Sequence, residues 1–396
     1  MEIPARAGRG AAGRSCSRSP QAPGPAQVTP KSALRAEAAA LLAFFEAAGA
    51  VPVEADLLLP ADTLLDLYGE DIRARAYVTH DPDRGELMLR PDFTVPVVQM
   101  HMAGGAEPAR YTYMGEVFRT QAAGSGRPSE YIQVGYEVFD RADPTRADAE
   151  VFALFAQALA PLGLRAVTGD MGILMAAVDT LSTTDARKAA LRRHIWRPRR
   201  FRALLDRYTG RVALPPARAQ LIRAMQAQGA GALIAEAGPE IGLRSAQEVA
   251  ERLAALVADG AAPPIGAAEA EVLGVILSLK AALPDAYEML CDVCVDLPGL
   301  APAVDRFAAR IEALIAAGID VGELPFEASF GRTTMEYYDG FVFGFLAPGR
   351  PDLPPVATGG RYDAMTRHLG GGREIPAVGG VIRPELVSRL KAEARP

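Results

Sequence analysis

Residues 110–140 read RYTYMGEVFRTQAAGSGRPSEYIQVGYEVFD, and this stretch decides the fold. Tyr111, Tyr113 and Val117 alternate with polar residues, the turn-rich Ala122-Ala-Gly-Ser-Gly-Arg-Pro128 follows, and Tyr131, Val134, Tyr136 and Val138 bring the chain back. Period-two alternation on both sides of a glycine-rich break predicts a long antiparallel hairpin with a loop of about ten residues. Side chains four apart on a strand share a face, so Gln133 and Glu137 point the same way. Arg119, on the facing strand, is within reach of a carboxylate or phosphate held there. An acid and an amide beside a fixed guanidinium suit a small zwitterion, because buried polar groups need partners and charge-assisted bonds are the strong ones. The same residues also read as ordinary cross-strand surface pairs.

Upstream of the hairpin, Leu34, Ala38, Leu41, Leu42 and Phe45 recur at helical spacing before Gly49, which predicts a helix of about four turns. Val51 to Glu54, Leu64 to Gly69, Ala76 to Thr79 and Glu86 to Arg90 read as short strands. Leu89-Arg90-Pro91-Asp92-Phe93-Thr94 then places an acid and a hydroxyl, both able to accept from an ammonium group, at a strand end. Downstream, Asp148 to Leu162 reads as a helix and Arg165 to Gly169 as a strand. Residues 181–290 carry helix patterns and few strand signals, with Ser245 to Glu248 a capping box, so they are expected to form a helical insertion. Strands return at Phe341 to Phe345, Pro355 to Gly359 and Ala377 to Ile382. Tyr337, Tyr338 and Tyr362 lie beside glycine-turn backbone at Gly359 and Gly360, where two phenols are able to flank an aromatic ring. The expected class is α+β: an antiparallel sheet flanked by helices, divided as 31–180, 181–290 and 291–396 after a tail over 1–30.

Composition narrows the function classes. A net charge of −6 over 396 residues gives no basic footprint for phosphate neutralisation, which makes nucleic acid an unlikely main partner. The exception is local: Arg192, Arg193, Arg197, Arg199, Arg200 and Arg202 surround Trp196 and Phe201, a cluster that suits an RNA, an acidic partner surface or a solvated helical face. Cys291 and Cys294 lack a second pair or nearby histidines, so they read as buried thiols with no metal role. No stretch has the run of about 18 apolar residues a membrane span needs, and the expected location is cytoplasmic. Residues 1–30, rich in arginine, proline and glycine without apolar periodicity, are expected to be a disordered tail.

Six ordered elements carry a resemblance: Leu-Arg-Pro-Asp-x-Thr at 89–94, Gly-x-Val-Phe-Arg at 115–119, Gln-Val-Gly-x-Glu-Val-Phe at 133–139, Tyr-Tyr-x-Gly-x-Val-Phe at 337–343, Gly-Gly-Arg-Tyr-Asp at 359–363 and Pro-Ala-Val-Gly at 376–379. Their order and spacing resemble the catalytic core of class II histidyl-tRNA synthetases from about residue 32 to 390. The resemblance implies a class II synthetase-like fold and a histidine pocket. In it Asp92 and Thr94 hold the α-amino end, Gln133 and Glu137 make further contacts, Arg119 faces the carboxylate, and Tyr338 and Tyr362 wall the imidazole slot.

The departures matter as much. Gln121 stands where the synthetases have an acid that reads adenine, and Ala122 replaces the next basic residue. Leu386 occupies the place of the arginine that clamps ATP, and Pro384 beside Arg383 argues against rescue by a shifted arginine. Arg332-Thr-Thr-Met-Glu336 replaces Arg-Gly-Leu-Asp with one residue more, and no anticodon-binding domain is expected after residue 390. A histidine pocket without its ATP clamp is similar to the regulatory subunits that partner the short form of ATP phosphoribosyltransferase. That resemblance implies no catalysis, no cofactor, binding to the short catalytic subunit, self-association, and histidine as a feedback effector. Two other readings stay open: an enzyme that activates histidine, and an RNA-binding synthetase relative.

Removing residues 1–28 is expected to leave folding and partner binding intact, since that stretch has no apolar face to bury. Melting temperature and complex formation check this, and a large fall in either would show the tail to be structural.

Overall fold

The computed structural model describes residues 30–68, 72–73, 75–121, 124–125, 127–239, 241–332 and 337–394. Residues 1–29 of the expected tail lie outside them. The first helix, α1 (Lys31–Ala47), buries Ala38, Leu41 and Phe45 and gives way at Gly49, whose φ of 96° favours glycine. Then come β1 (Val51–Pro52), β2 (Leu58–Pro60), α2 (Ala61–Tyr68), β3 (Val78–Asp81), β4 (Gly85–Leu89) and α3 (Thr94–Met102). The strand expected at Leu64 to Gly69 is therefore a helix as far as Tyr68. Ala61 and Leu64 are buried three residues apart while Asp62 and Asp66 face out, a spacing that a short apolar run does not betray.

The hairpin is β5 (Ala109–Phe118) and β6 (Glu130–Phe139), joined by residues 119–129. Next are α4 (Pro144–Leu159), β7 (Arg165–Asp170) and α5 (Met171–Thr180). Asp143 caps α4 by accepting from the Arg146 amide at 3.0 Å, with Pro144 at the first helical position. The stretch expected to be helical holds α6 (Asp185–Arg193), α7 (Pro198–Tyr208), α8 (Pro216–Glu236), α9 (Ala246–Ala261) and α10 (Ala267–Ser278), then β8 (Lys280–Ala282) and the start of α11 (Leu283–Asp296). The capping box forms at α9: the Glu248 amide donates to Ser245 Oγ at 3.3 Å, and the Ser245 amide to Glu248 at 2.8 Å. The chain ends with α12 (Ala301–Ala316), β9 (Pro325–Glu327), β10 (Phe341–Leu346), β11 (Ala357–Arg361), α13 (Asp363–Leu369), β12 (Ala377–Ile382) and α14 (Pro384–Glu393).

One sheet runs β1-β5-β6-β12-β11-β10-β7-β9-β8, and a small one runs β2-β4-β3. From β5 to β7 every pair of neighbours is antiparallel, and β1–β5 and β7–β9 are parallel. The α+β class, with helices flanking a large central sheet, is the one expected. Cys291 and Cys294 are not buried: Cys291 is exposed and Cys294 half-exposed, because α11 turns Leu283, Ala286, Leu290 and Val293 inward instead. Among the described residues no group of three or more His, Cys, Asp or Glu is placed to hold a metal ion, and no helix is long and apolar enough to cross a membrane.

A buried ion network ties the sheet to its helices. Asp148 on α4 accepts from Arg310 Nε at 2.9 Å and from Arg361 Nε and Nη2 at 3.0 and 2.7 Å. Arg310, on α12, also donates to Asp170 at the end of β7, at 2.6 Å. Burial disfavours the Arg310 cation, yet the two aspartates more than reverse this and its pKa is raised. Asp148→Ala leaves both guanidiniums short of a carboxylate and is expected to cost roughly 3–5 kcal/mol. Urea unfolding checks it; a midpoint close to wild type would show that the network carries no such weight.

Candidate functional site

Strand register builds the site. Glu137 lies opposite Tyr111 on β5 and Gly379 on β12, Gln133 opposite Gly115, and Gly379 opposite Gly360 on β11. A Cβ added to Gly379 would lie 1.5 Å from Glu137 Oε2, and one added to Gly135 would lie 2.1 Å from the Tyr113 ring. These glycines leave the space that the acid and the phenol fill. Glu137 is only 1% exposed, and its carboxylate accepts from Tyr113 Oη at 2.8 Å, Tyr362 Oη at 2.5 Å and Thr94 Oγ1 at 3.3 Å. Burial pushes its pKa up to about 7; the three hydroxyls pull the other way, and nearby Asp92 adds to the rise.

A cavity of about 210 Å³ opens on this carboxylate, smaller than the roughly 300–1,000 Å³ of drug-sized pockets. Asp92, Thr94, Arg119, Gln133, Glu137, Tyr338 and Tyr362, all seven residues singled out from the sequence, line it. Asp92 sits before α3 and accepts from the Val95 amide at 3.5 Å. Arg119 follows β5 rather than lying within it, and its Nε donates to the Pro91 carbonyl at 2.7 Å, fixing the loop against the Asp92 segment. Gln133 is 1% exposed, and its Oε1 is buried with no hydrogen-bond donor. Such an acceptor costs stability until something donates to it. Tyr337 donates to Thr94 at 3.4 Å and stacks edge-on with Tyr338.

A second cavity of about 470 Å³ shares Arg119, Arg127 and Arg383 with the first, so these cations stand where the two meet. Gln121 and Leu386 line the outer cavity, while Ala122 lies outside the described residues. Arg383, which the sequence did not place at the site, lines both cavities. Pro384 takes the first position of α14, where proline is well tolerated, so it leaves Arg383 free to line both cavities. Its Nη1 donates to the Pro355 carbonyl at 2.6 Å; burial, then the Arg119 and Arg127 charges, lower its pKa, while Tyr131 and Tyr338 oppose them. Tyr113 was also missed as a contact, because its role comes from facing Gly135 and not from any local pattern.

Arg332 lines neither cavity. Its Nε donates to the Ile195 carbonyl at 2.8 Å and its guanidinium lies 5.1 Å from the centre of the Phe201 ring. Thr333 to Glu336, the rest of that motif, lie outside the described residues.

A sequence profile described as histidyl-tRNA synthetase matches residues 24–272 and 261–387. A Brucella anthropi protein named ATP phosphoribosyltransferase regulatory subunit is 32% identical over 357 residues, covering 87% of this chain and 94% of the relative. The chain belongs to the ATP phosphoribosyltransferase regulatory subunit family. The Brucella canis member is 32% identical over 365 residues, 86% of this chain and 93% of its own. Among solved structures, a Bacillus halodurans ATP phosphoribosyltransferase regulatory subunit/histidyl-tRNA synthetase superposes with a TM-score of 0.63 at 20% identity, over 95% of this chain and 84% of that one. A histidyl-tRNA synthetase from a Nostoc species gives 0.60 at 15% identity, over 96% and 76%. At these identities the two structures establish the fold alone.

Because the folded pKa of Glu137 lies above the ordinary value of 4.5, the protonated acid is the form the fold favours. Its contribution to stability is complete below about 4.5 and is lost as pH rises to about 7. Wild type is therefore expected to lose stability relative to Glu137→Gln across that window. Parallel unfolding curves at pH 5 and pH 8 check this; an equal pH response of the two proteins would contradict it.

Proposed function

We propose that this chain is the non-catalytic regulatory subunit of an ATP phosphoribosyltransferase, required by the short catalytic subunit, and that histidine occupies the Glu137 cavity as feedback effector. The observation that carries the effector reading is the pairing of an unsatisfied buried acceptor, Gln133 Oε1, with two acids, Asp92 and Glu137, in a cavity whose outer side is cationic. An amino acid satisfies that arrangement. Its ammonium donates to Asp92 and the amide, its carboxylate meets Arg119, and an imidazole N–H donates to Glu137 between the phenols. Three placements support a non-catalytic reading: Arg332 is bonded to the Ile195 carbonyl and lines neither cavity, and Leu386 and Gln121 line the larger one.

Arg383 favours one rival, a histidine-activating enzyme, because a guanidinium between the two cavities is placed to meet a phosphate. Pyrophosphate exchange into ATP with histidine separates the two. No exchange is expected; exchange at a synthetase-like rate would replace the regulatory reading.

Feedback through this cavity is tested on complex reconstituted with the catalytic subunit. Glu137→Gln is expected to raise the inhibition constant for histidine roughly tenfold or more, since a charged acceptor contributes about 1.5–3 kcal/mol, and to leave activation of the catalytic subunit close to wild type. An unchanged histidine response with normal assembly would move the effector site elsewhere.

A further inference from the structure

The arginine cluster between Arg192 and Arg202 falls on the end of α6 and the start of α7. Arg192, Arg193, Arg199, Arg200 and Arg202 are exposed. Arg192 pairs with Asp179, whereas Arg193, Arg199, Arg200 and Arg202 have no acidic partner among the described residues. Three of these four sit in the first half of α7, at the positive end of its dipole, with no acid in the first turn and no side-chain cap. Fixed cations and unpaired helix N–H groups there add to one another, an arrangement that costs an isolated helix stability. Their field is felt nearby: after burial, Arg197, Arg200 and Arg193 lower the pKa of His194, and Arg202 lowers that of Arg332. A chain of net charge −6 concentrates uncompensated positive charge on this one turn.

The aromatic residues of the cluster are engaged inside the protein. Phe201 is 2% exposed beneath Arg332, and the Trp196 indole donates to the Tyr338 carbonyl at 3.3 Å. Phe201 is buried and Trp196 is half-buried with its N–H already engaged, a poor platform for a nucleobase that favours a protein surface over RNA. The same bonds tie the cluster to the cavity. Tyr338 lines the Glu137 cavity, and the Ile195 carbonyl holds Arg332, so residues 195 and 196 are fastened to both ends of the segment leading to Tyr338.

We infer that the exposed arginines of α6 and α7 dock on a carboxylate-rich face of the partner protein, and that the Trp196–Tyr338 bond makes this docking sensitive to occupancy of the cavity. The inference rests on the regulatory reading above and names the surface through which that subunit meets its partner.

The test uses the full chain and the catalytic subunit, with binding measured across a salt series, with and without histidine. Wild-type binding is expected to weaken with salt. Arg199→Glu, Arg200→Glu and Arg202→Glu together should weaken it roughly tenfold or more at low salt and flatten the salt dependence. The triple variant should melt no lower than wild type, because acids replace cations at the start of α7. A merely structural role would instead lower the melting temperature. Trp196→Phe should keep affinity in the absence of histidine but lose most of the histidine-dependent shift. Unchanged affinity of the triple variant overturns the docking surface, as does loss of poly(U) binding with partner binding kept, which would mark an RNA site. A full histidine shift in Trp196→Phe overturns the coupling. If wild type itself fails to bind the catalytic subunit, the regulatory reading falls and this inference falls with it.

Discussion

The structure depends on keeping one carboxylate inside a sheet. Glu137 is almost wholly buried on a central strand, where an isolated charge is costly, and three hydroxyls from three separate segments meet it there. Thr94 opens α3, Tyr113 belongs to β5, and Tyr362 lies between β11 and α13, so satisfying the acid draws these elements to one point. Those bonds do not restore an ordinary acidity, because burial outweighs them. The group is left poised to lose its proton when a cationic ligand arrives, a common property of functional sites.

Glycines make that position available. Gly135, Gly379 and Gly360 lie on neighbouring strands, and a side chain at any of them would meet an acid, a phenol or backbone within 3 Å. A sheet of β-branched residues would pack better and hold no cavity. The buried Asp148, Arg310 and Arg361 network lies elsewhere in the same sheet and fixes β7 and β11 against α4 and α12. The two polar assemblies thus have different consequences: one is internally satisfied and rigidifies the fold, and the other keeps an acceptor, Gln133 Oε1, open to a ligand.

Much of this was legible in the sequence because it is encoded in strand periodicity. Gln133 and Glu137 share a face by arithmetic, and all seven residues singled out line one cavity once the motifs fold together. What escaped was set by long-range pairing or by local geometry that single residues do not reveal. Tyr113 becomes a partner of Glu137 only through the space above Gly135. That Arg383 reaches both cavities depends on Pro384 taking the first position of α14, a local geometry the sequence pattern did not display. The helix at Ala61 to Tyr68 and the outward thiols of α11 follow from which face of a short helix meets the core, a tertiary fact. The fate of Arg332 was out of reach for the same reason, since its partner, the Ile195 carbonyl, lies 137 residues away.

In the proposed function, Glu137 is the point where histidine, protonation and the fold meet. The most direct measurement is calorimetric titration of histidine into the purified chain at pH 7, in buffers of different ionisation enthalpy, with Glu137→Gln alongside. A carboxyl whose pKa is near 7 is about half protonated there, so histidine binding to its anion is expected to release up to about half a proton, a release missing from the variant. Absence of binding, or the same proton release in Glu137→Gln, would contradict the account.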